Sequence, residues 1–541
     1  MWLNYILAAL SGVLYIAACA PNDQFYLMWI AFIPLFFAIE RTPEALRTPW
    51  RLFRLGLSTS FFIAATGFYW IIHATENYGG LPFFAALIVF LAFCFTNQLQ
   101  VPFYVLLRNA LQKTNFFKQQ KVLLAFALGF AYVGIESLNP KLFSDTAGGA
   151  FYNASFIRQF ADVGGPFALS VLALTVNEFL FAAILSRKLK GVFISAGLIL
   201  FLCAYGYGRN LEFDRLKAEH ANGPLFRTAL IQGNIGDFMK VAAERGETNA
   251  ITQVMGQYQM LSSQALVHQP VPDAIVWPET AYPAIYGRPY GQMEERLEVL
   301  LRGLISRVKG YLIFGGYDND LQGLEYNSIF FASPHSNDRV VYHKSTLLMF
   351  GETLPFADNF PEMKHWFPTM GFFGRGAGPE VDTLKNGDGV EFKLGPSICY
   401  EGLFVSFGVD EALMGADVLM NVTNDSWFGE LGEPYQHLSL TRFRSIETRI
   451  PMLRATNTGF SVWIDPTGEQ VESTSLSKAE ILYADIPKRF FPDSPYMTMA
   501  RVFGSSWFAR LCQLLTAGLA GIAFLHYKKN RLATAPTRKL T

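Results

Sequence analysis

Three residues of this chain could together perform acyl chemistry, and each closes its own strand-like run. Cys399 stands in Gly395-Pro396-Ser397-Ile398-Cys399-Tyr400-Glu401, directly after the alternating run Val390–Leu394. Glu279 lies in Trp277-Pro278-Glu279-Thr280, and Lys344 in Tyr342-His343-Lys344-Ser345. A thiol is a poor nucleophile until its proton is removed, and a neighbouring carboxylate can take it. The tetrahedral intermediate on an acyl group carries an oxyanion that needs preorganised donors. The Lys344 ammonium and the Tyr400 backbone N–H are candidates for that role. Periodicity does not bring the three residues together in space, and a lone cysteine at a strand end is ordinarily a buried structural thiol.

The elements that must position them lie between Arg209 and Ser494. Short strand-like runs recur there: Thr228–Gln232, Ala274–Trp277, Tyr311–Phe314, Ser328–Ala332, Val340–Tyr342, Glu391–Ile398, Val418–Val422 and Ser461–Ile464. Helix-like stretches such as Gln292–Val308 and Gln436–Arg449 fall between them. This alternation predicts an α/β domain of layered sheets and helices.

Several motifs in order then carry a resemblance. They are Leu230-Ile231-Gln232-Gly233-Asn234-Ile235, the Trp277–Thr280 motif, Tyr326-Asn327-Ser328, Tyr342–Leu348 leading to Phe350-Gly351-Glu352, Ile398–Glu401, Asn421–Gly429 and Arg454–Gly459. Together they resemble the Glu-Lys-Cys pattern of the nitrilase superfamily, and in particular its membrane-embedded branch, the apolipoprotein N-acyltransferase family. The resemblance implies that Glu279 is the base, Lys344 the oxyanion cation and Cys399 the nucleophile. It also marks Glu352, Tyr400, Glu401 and Asn327 as substrate-binding or supporting residues. Asn424, Asp425 and Arg454 could hold loops or touch substrate, and Glu401 could tune Cys399 or bind backbone donors. One departure is a missing tryptophan after the opening Gln-Gly-Asn, where Met239, Lys240 and Val241 stand. The aromatic run His365–Gly374, with Trp366, Phe367, Phe372 and Phe373, is either packed core or a lid that dips into a membrane, since aromatics favour the lipid–water interface.

Composition points the same way. Of 541 residues, 51% are hydrophobic and only 16% charged, well below the quarter usual in soluble domains. Lys+Arg and Asp+Glu balance at 44 each, so nothing global indicates nucleic acid. The five cysteines form no metal spacing and the eight histidines no His-Glu-x-x-His pattern, so neither a metal nor another cofactor is expected. Apolar segments run over Trp2–Ala20, Phe25–Ile39, Leu55–Ile72, Leu81–Leu107, Val122–Ile135, Pro166–Leu185, Gly191–Tyr207 and Gly504–Leu525. About 20 helical residues cross the hydrocarbon core, so most of these can span. Trp2–Ala20 lacks a basic leader and is expected to be retained. Asn97, Gln98 and Gln100 within the fourth segment predict packing inside a bundle.

The fold expected is a multi-span α-helical membrane bundle of about eight transmembrane helices, plus an extracytoplasmic α/β nitrilase-like domain built as an α-β-β-α sandwich. Residues 1–208 would hold helices one to seven, 209–494 the catalytic domain, and 495–541 the eighth helix and a basic tail. The function implied is transfer of a fatty acyl chain from a phospholipid donor, through a cysteine thioester, to the N-terminal amine of a diacylated apolipoprotein at the bacterial inner membrane. Ester to thioester is near balance and thioester to amide is downhill, so the reaction needs no nucleotide. A membrane-tethered nitrilase-type amidohydrolase is the alternative, although one anchor would suffice for it. A non-catalytic lipid carrier is disfavoured by the intact Glu279, Lys344 and Cys399.

Basic residues set the expected orientation. Arg41, Arg47, Arg51 and Arg54 follow the second segment; Arg108, Lys113, Lys118 and Lys121 the fourth; Arg187, Lys188 and Lys190 the sixth; and Lys528, Lys529, Arg531, Arg538 and Lys539 the last. The loops Pro21–Gln24 and His73–Gly80 have none. Both termini are therefore expected in the cytoplasm and the catalytic domain on the periplasmic side. A reporter active only in the cytoplasm should work when fused after Thr541 and fail when inserted near Gly246; the reverse pattern would invert the orientation.

Overall fold

The computed structural model describes residues 2–77, 79–244, 246–289, 291–349, 351–354, 360, 362 and 372–534, with the backbone alone for 237, 238, 241, 244, 337–339 and 532–534. The chain divides into two units, Met1–Gly208 with Ser506–Thr541, and Arg209–Ser505.

In the second unit the β-branched and aromatic runs pair into two six-stranded sheets. In chain order the strands are β1 (Leu225–Gln232), β2 (Ala274–Val276), β3 (Tyr311–Asn319), β4 (Glu325–Ser333), β5 (Ser336–His343), β6 (Asp382–Lys385), β7 (Glu391–Ile398), β8 (Val418–Thr423), β9 (Met452–Thr456), β10 (Val462–Ile464), β11 (Gln470–Ser473) and β12 (Glu480–Pro487). One sheet has the order β12-β1-β2-β3-β4-β5 and the other β11-β10-β9-β8-β7-β6. The centres are parallel, β1–β2–β3 and β7–β8–β9, and antiparallel strands flank them. All eight expected runs coincide with strands, although Trp277 falls one residue after β2 and Ser461 one before β10; β6, β9, β11 and β12 are additional.

Alternation along β1 explains the layering. Ala229 and Ile231 pack into a core with the amphipathic helices Thr248–Leu266 and Gln292–Ile305, through Ile251, Val254, Leu261, Leu297, Leu301 and Leu304. The opposite parity meets the second sheet. Phe226 packs 5.4 Å from Phe392 of β7. Gln232 accepts at Oε1 from Ser461 N–H (3.1 Å) and from the hydroxyls of Thr456 (3.2 Å) and Thr474 (2.6 Å). Strand β8 is buried along its whole length, as expected of a parallel strand covered on both faces. Helices Val405–Leu413, Glu433–Thr441 and Phe443–Thr448 accompany the second sheet.

The first unit is helical. Among the described residues four helices are long and apolar enough to cross a membrane, Phe83–Gln112, Ile157–Ser186, Lys190–Glu219 and Trp507–Arg531, or five if the pair Pro49–Gly67 and Trp70–Asn77, bent by 61°, forms one span. Trp2–Ala18, Phe25–Glu40 and Lys121–Glu136 are shorter. Ile157–Ser186 breaks at Gly164-Gly165, just before Pro166, which explains its interruption by ring sterics and a missing donor. Asn97, Gln98 and Gln100 are buried, with Gln98 Nε2 donating to Asp145 Oδ2 at 2.6 Å.

One residue of the charge pattern is corrected. Arg108 is not a loop cation: it lies inside the helix Gln100–Gln112, buried, with Nε and Nη2 donating to Glu178 at 2.5 and 2.9 Å and its guanidinium 4.1 Å from the Phe36 ring. A guanidinium in an apolar bundle must find a carboxylate, and Glu178 of the neighbouring helix supplies it. Lys113, Lys118 and Lys121 remain at that end.

Two glycines of Lys121–Glu136 set its close contacts. A Cβ on Gly129 would strike the Val171 carbonyl and the Thr175 hydroxyl; one on Gly134 would strike Thr516 Oγ1 and the Cys512 carbonyl. Small residues let helix backbones approach where apolar area offers no driving force in lipid. Gly129→Leu and Gly134→Leu should each lower the melting temperature in detergent by at least about 2 °C, from overpacking of about 1–3 kcal/mol. An unchanged melting curve would mean that these helices separate without cost.

Candidate active site

The site collects at the carboxyl ends of β2 and β7, in the parallel centres where open α/β sheets ordinarily bind ligands, and of the antiparallel edge strand β5. Glu279 lies three residues beyond β2, Lys344 one beyond β5, and Cys399 one beyond β7. β3 makes room for the first of these: a Cβ on Gly315 would meet the Pro278 oxygen at 2.5 Å and Glu279 Cα at 2.6 Å. Trp277 anchors the same segment from the core, its Nε1–H donating to Ser262 Oγ at 2.9 Å and its ring stacking on Tyr258. Thr280, directly after the carboxylate, takes a positive φ of 48°, unusual for a β-branched residue.

Lys344 is 1% exposed, and its Nζ donates to Glu279 Oε1 at 3.2 Å and to Glu352 Oε1 at 2.8 Å. Asn327 of β4 joins the same two carboxylates, its Nδ2 donating to Glu279 Oε1 at 2.8 Å and Glu352 Oε1 at 3.0 Å. Glu279 Oε2 accepts the Asn424 N–H at 2.9 Å, and Glu352 Oε2 the Leu348 N–H at 2.8 Å. Burial alone would lower the Lys344 pKa, but the charges of Glu279 and Glu352 outweigh it and hold the ammonium well above its ordinary value.

Cys399 is buried and adopts φ 50°, in the left-handed region, where the strand turns into the 3-10 helix Cys399–Leu403. Its thiol is pushed well above the ordinary value by burial first and then by the charge of Glu279; Lys344 and the Thr423 hydroxyl act in the opposite direction. Burial and the neighbouring carboxylate thus favour the protonated thiol at Cys399. Passing its proton to Glu279 leaves the net charge of the cluster unchanged, which is the least costly ionisation available in a buried site.

Glu401 is a clamp between segments. Oε1 accepts Ser345 N–H (2.7 Å), Ser345 Oγ–H (2.9 Å) and Thr346 N–H (2.9 Å), while Oε2 accepts Tyr342 O–H (2.7 Å) and Ile398 N–H (2.8 Å). It thus ties the Lys344 loop to the Cys399 turn, by binding backbone donors. Burial holds its carboxyl above the ordinary value, and these donors offset only part of that. The Tyr400 ring packs edge-on against Phe404 at 4.8 Å. Asp425 and Arg454 form a fully buried pair, Nη2 to Oδ2 at 2.8 Å, so their geometry is that of a loop anchor. Arg454 also donates to Asn421 Oδ1 at 2.8 Å. Asn424 meets Glu279 through its backbone, and Asn457 Nδ2 donates to its side-chain oxygen at 2.9 Å.

Near the missing tryptophan, Lys240 is buried, with Nζ 3.5 Å from the Glu279 carbonyl and 5.7 Å from the Trp427 ring centroid. In the aromatic run, Phe373 stacks on Tyr317 at 5.8 Å and its N–H donates to the Glu352 carbonyl at 3.3 Å, so this end is packed. Trp366 and Phe367 lie outside the described residues. Sequence reasoning passed over His437, whose ring touches the Cys399 carbonyl; it lies 38 residues from Cys399, with no spacing signal to link them. Among the described residues one trio, Asp425, Glu433 and His437, has metal-ligand spacing. Arg454 already occupies Asp425, and His437 Nδ1 lies between the two carboxylates, so hydrogen bonding accounts for the trio.

Residues 227–490 match the family described as carbon-nitrogen hydrolase, and residues 11–179 the apolipoprotein N-acyltransferase N-terminal domain. The apolipoprotein N-acyltransferase of Bdellovibrio bacteriovorus is 30% identical over 486 residues, 87% of this chain and 85% of that one. Its counterpart in Geobacter metallireducens is 32% identical over 501 residues, 89% of each. Among solved structures, Saccharomyces cerevisiae Nit3, a member of branch 10 of the nitrilase superfamily, aligns over 51% of this chain and 94% of its own at 17% identity and a TM-score of 0.36. With both segments matched and these relatives similar over most of their length, this chain belongs to the apolipoprotein N-acyltransferase family.

Proposed function

We propose that the chain moves a fatty acyl group from a membrane phospholipid onto Cys399, and from there to the N-terminal amine of the diacylglyceryl-cysteine of an apolipoprotein. The observation that carries this reading is the buried cluster of Glu279, Lys344 and Glu352, with the Cys399 thiol in its field, in a chain of this acyltransferase family. In the first half-reaction Glu279 takes the Cys399 proton, sulfur bonds to the ester carbonyl carbon, and the oxyanion forms beside Lys344. An ammonium has three donors, of which two serve Glu279 and Glu352. The third is assigned to the oxyanion. Collapse breaks the ester C–O bond, and the proton on Glu279 passes to the departing oxygen, giving a lysophospholipid.

In the second half-reaction the amine attacks the thioester carbonyl and its proton goes to Glu279. The C–S bond breaks and the proton returns to the Cys399 sulfur, leaving an amide and the free enzyme. Glu352 and Asn327 hold Lys344 and Glu279 in place, and Glu401 holds the two loops together. The bundle is assigned eight spans, counting the bent and shorter apolar helices, with 209–494 on the periplasmic side of the inner membrane and 495–541 as the last span and cytoplasmic tail. The charge pattern supports that side, and lipid substrates give the bundle a purpose.

Mass spectrometry of the purified protein incubated with phospholipid should find a fatty-acyl adduct on Cys399. Cys399→Ser should lose at least about a thousandfold of transfer while remaining folded, since a carboxylate is too weak a base to ionise an alcohol. Near-normal transfer by that variant would make Cys399 structural, and an adduct-free enzyme that still releases fatty acid would favour hydrolysis.

Glu279→Gln and Lys344→Met should each slow formation of the adduct as well as its consumption, because one base and one cation serve both steps. Single-turnover formation at the normal rate in either variant would remove that residue from the mechanism.

A further inference from the structure

The helix Glu433–Thr441 carries His437, whose ring is buried beside the turn that holds Cys399. Its Nε2 lies 3.3 Å from the Cys399 carbonyl oxygen. Its Nδ1 lies 3.2 Å from Asp425 Oδ1 and 3.2 Å from Glu433 Oε1. A carbonyl oxygen only accepts, so Nε2 must carry a hydrogen. Nδ1 faces two carboxylates, so a further proton sits there, on the ring or on Glu433. Arg454, on Asp425 at 2.8 Å, supplies the other positive charge. Two carboxylates, one guanidinium and one shared proton make a neutral buried set, which avoids the cost of an uncompensated charge.

The object held by this set is a peptide plane. Asn421 Nδ2 donates to the same Cys399 oxygen at 3.2 Å. The Cys399–Tyr400 peptide is trans, so its carbonyl and the Tyr400 N–H point in opposite directions within one rigid plane. Fixing the carbonyl with two donors therefore fixes the direction of the N–H. The need for such support is plain at Cys399, since a φ of 50° is a conformation that L-residues keep only when their surroundings impose it. Donors on the carbonyl also polarise the peptide and strengthen its N–H as a donor.

We propose that His437 is a positioning residue for acyl transfer: oriented by Asp425 and Glu433, its Nε2–H locks the Cys399–Tyr400 peptide so that the Tyr400 N–H meets the oxyanion opposite Lys344. This rests on the reading of Cys399 as the residue that takes the acyl group. His437 touches no reacting atom, and its effect passes through the peptide plane.

The test uses the full-length protein in phospholipid vesicles, with two rates measured at Cys399. Single-turnover acylation requires the oxyanion donor; alkylation by iodoacetamide requires only an accessible, ionisable thiol. His437→Ala should slow acylation about a hundredfold, the usual loss for one oxyanion donor, with alkylation within about threefold of wild type. His437→Gln, whose amide can donate to the same carbonyl, should recover acylation to within about tenfold of wild type. Acylation by His437→Ala at the wild-type rate would overturn the proposal, as would alkylation falling in step with acylation or a Gln variant no better than Ala. Nitrogen-15 spectra of the wild-type ring give a readout that depends on no variant folding: Nε2 should carry hydrogen, and a bare Nε2 would overturn the proposal. A wild-type enzyme that never carries an acyl group on Cys399 would overturn the parent reading and this one together, whereas an acylated wild type with unaffected variants would sink this one alone.

Discussion

A single buried ammonium shared by two carboxylates is the constraint around which the Arg209–Ser505 unit is arranged. Removing a lysine charge from water costs several kcal/mol unless partners replace the solvent. Lys344 finds them in Glu279 and Glu352, which come from different segments of the chain, and Asn327 spans both carboxylates from β4. The ends of β2, β4 and β5 must therefore converge to within hydrogen-bonding distance. Loss of Lys344 would leave two buried carboxylates unopposed, so geometry and stability are maintained by the same contacts.

The Cys399 side shows the complementary arrangement, in which fixed neighbours impose an unfavourable backbone. Cys399 occupies the left-handed region, and Glu401 ties its turn to the Lys344 loop through five accepted hydrogen bonds. Asn421 and His437 hold its carbonyl, and Arg454 with Asp425 holds those two in turn. A thiol raised by burial does not ionise by itself. The thiol therefore sits in the field of a carboxylate, Glu279, with the Lys344 ammonium acting in the opposite direction.

The helical unit solves a different problem with similar means. Lipid offers no hydrophobic gain for helix association, so close approach at Gly129 and Gly134 and the Arg108–Glu178 pair supply contacts instead. Arg108 also shows how a charge count can mislead. Its position at the end of an apolar segment looks like a loop cation, while its partner sits 70 residues away.

Sequence by itself determined the residue types and the local periods. The Trp277–Thr280, Tyr342–Leu348 and Ile398–Glu401 motifs marked a carboxylate, an ammonium and a thiol, and strand-like runs marked eight of the twelve strands among the described residues. These are local properties, because side-chain chemistry and a period of two are written within a few residues. The edge strands β6, β11 and β12 were not legible: they are short or half-exposed, and their pairing partners, not their composition, make them strands. The same holds for the roles of Glu401, Asp425, Arg454 and His437. Whether a buried polar residue clamps a loop, neutralises a neighbour or orients a peptide depends on which distant atoms fill its hydrogen-bonding sites. Only the tertiary structure decides that, because burial obliges each polar group to find a partner while sequence distance places no limit on where the partner comes from.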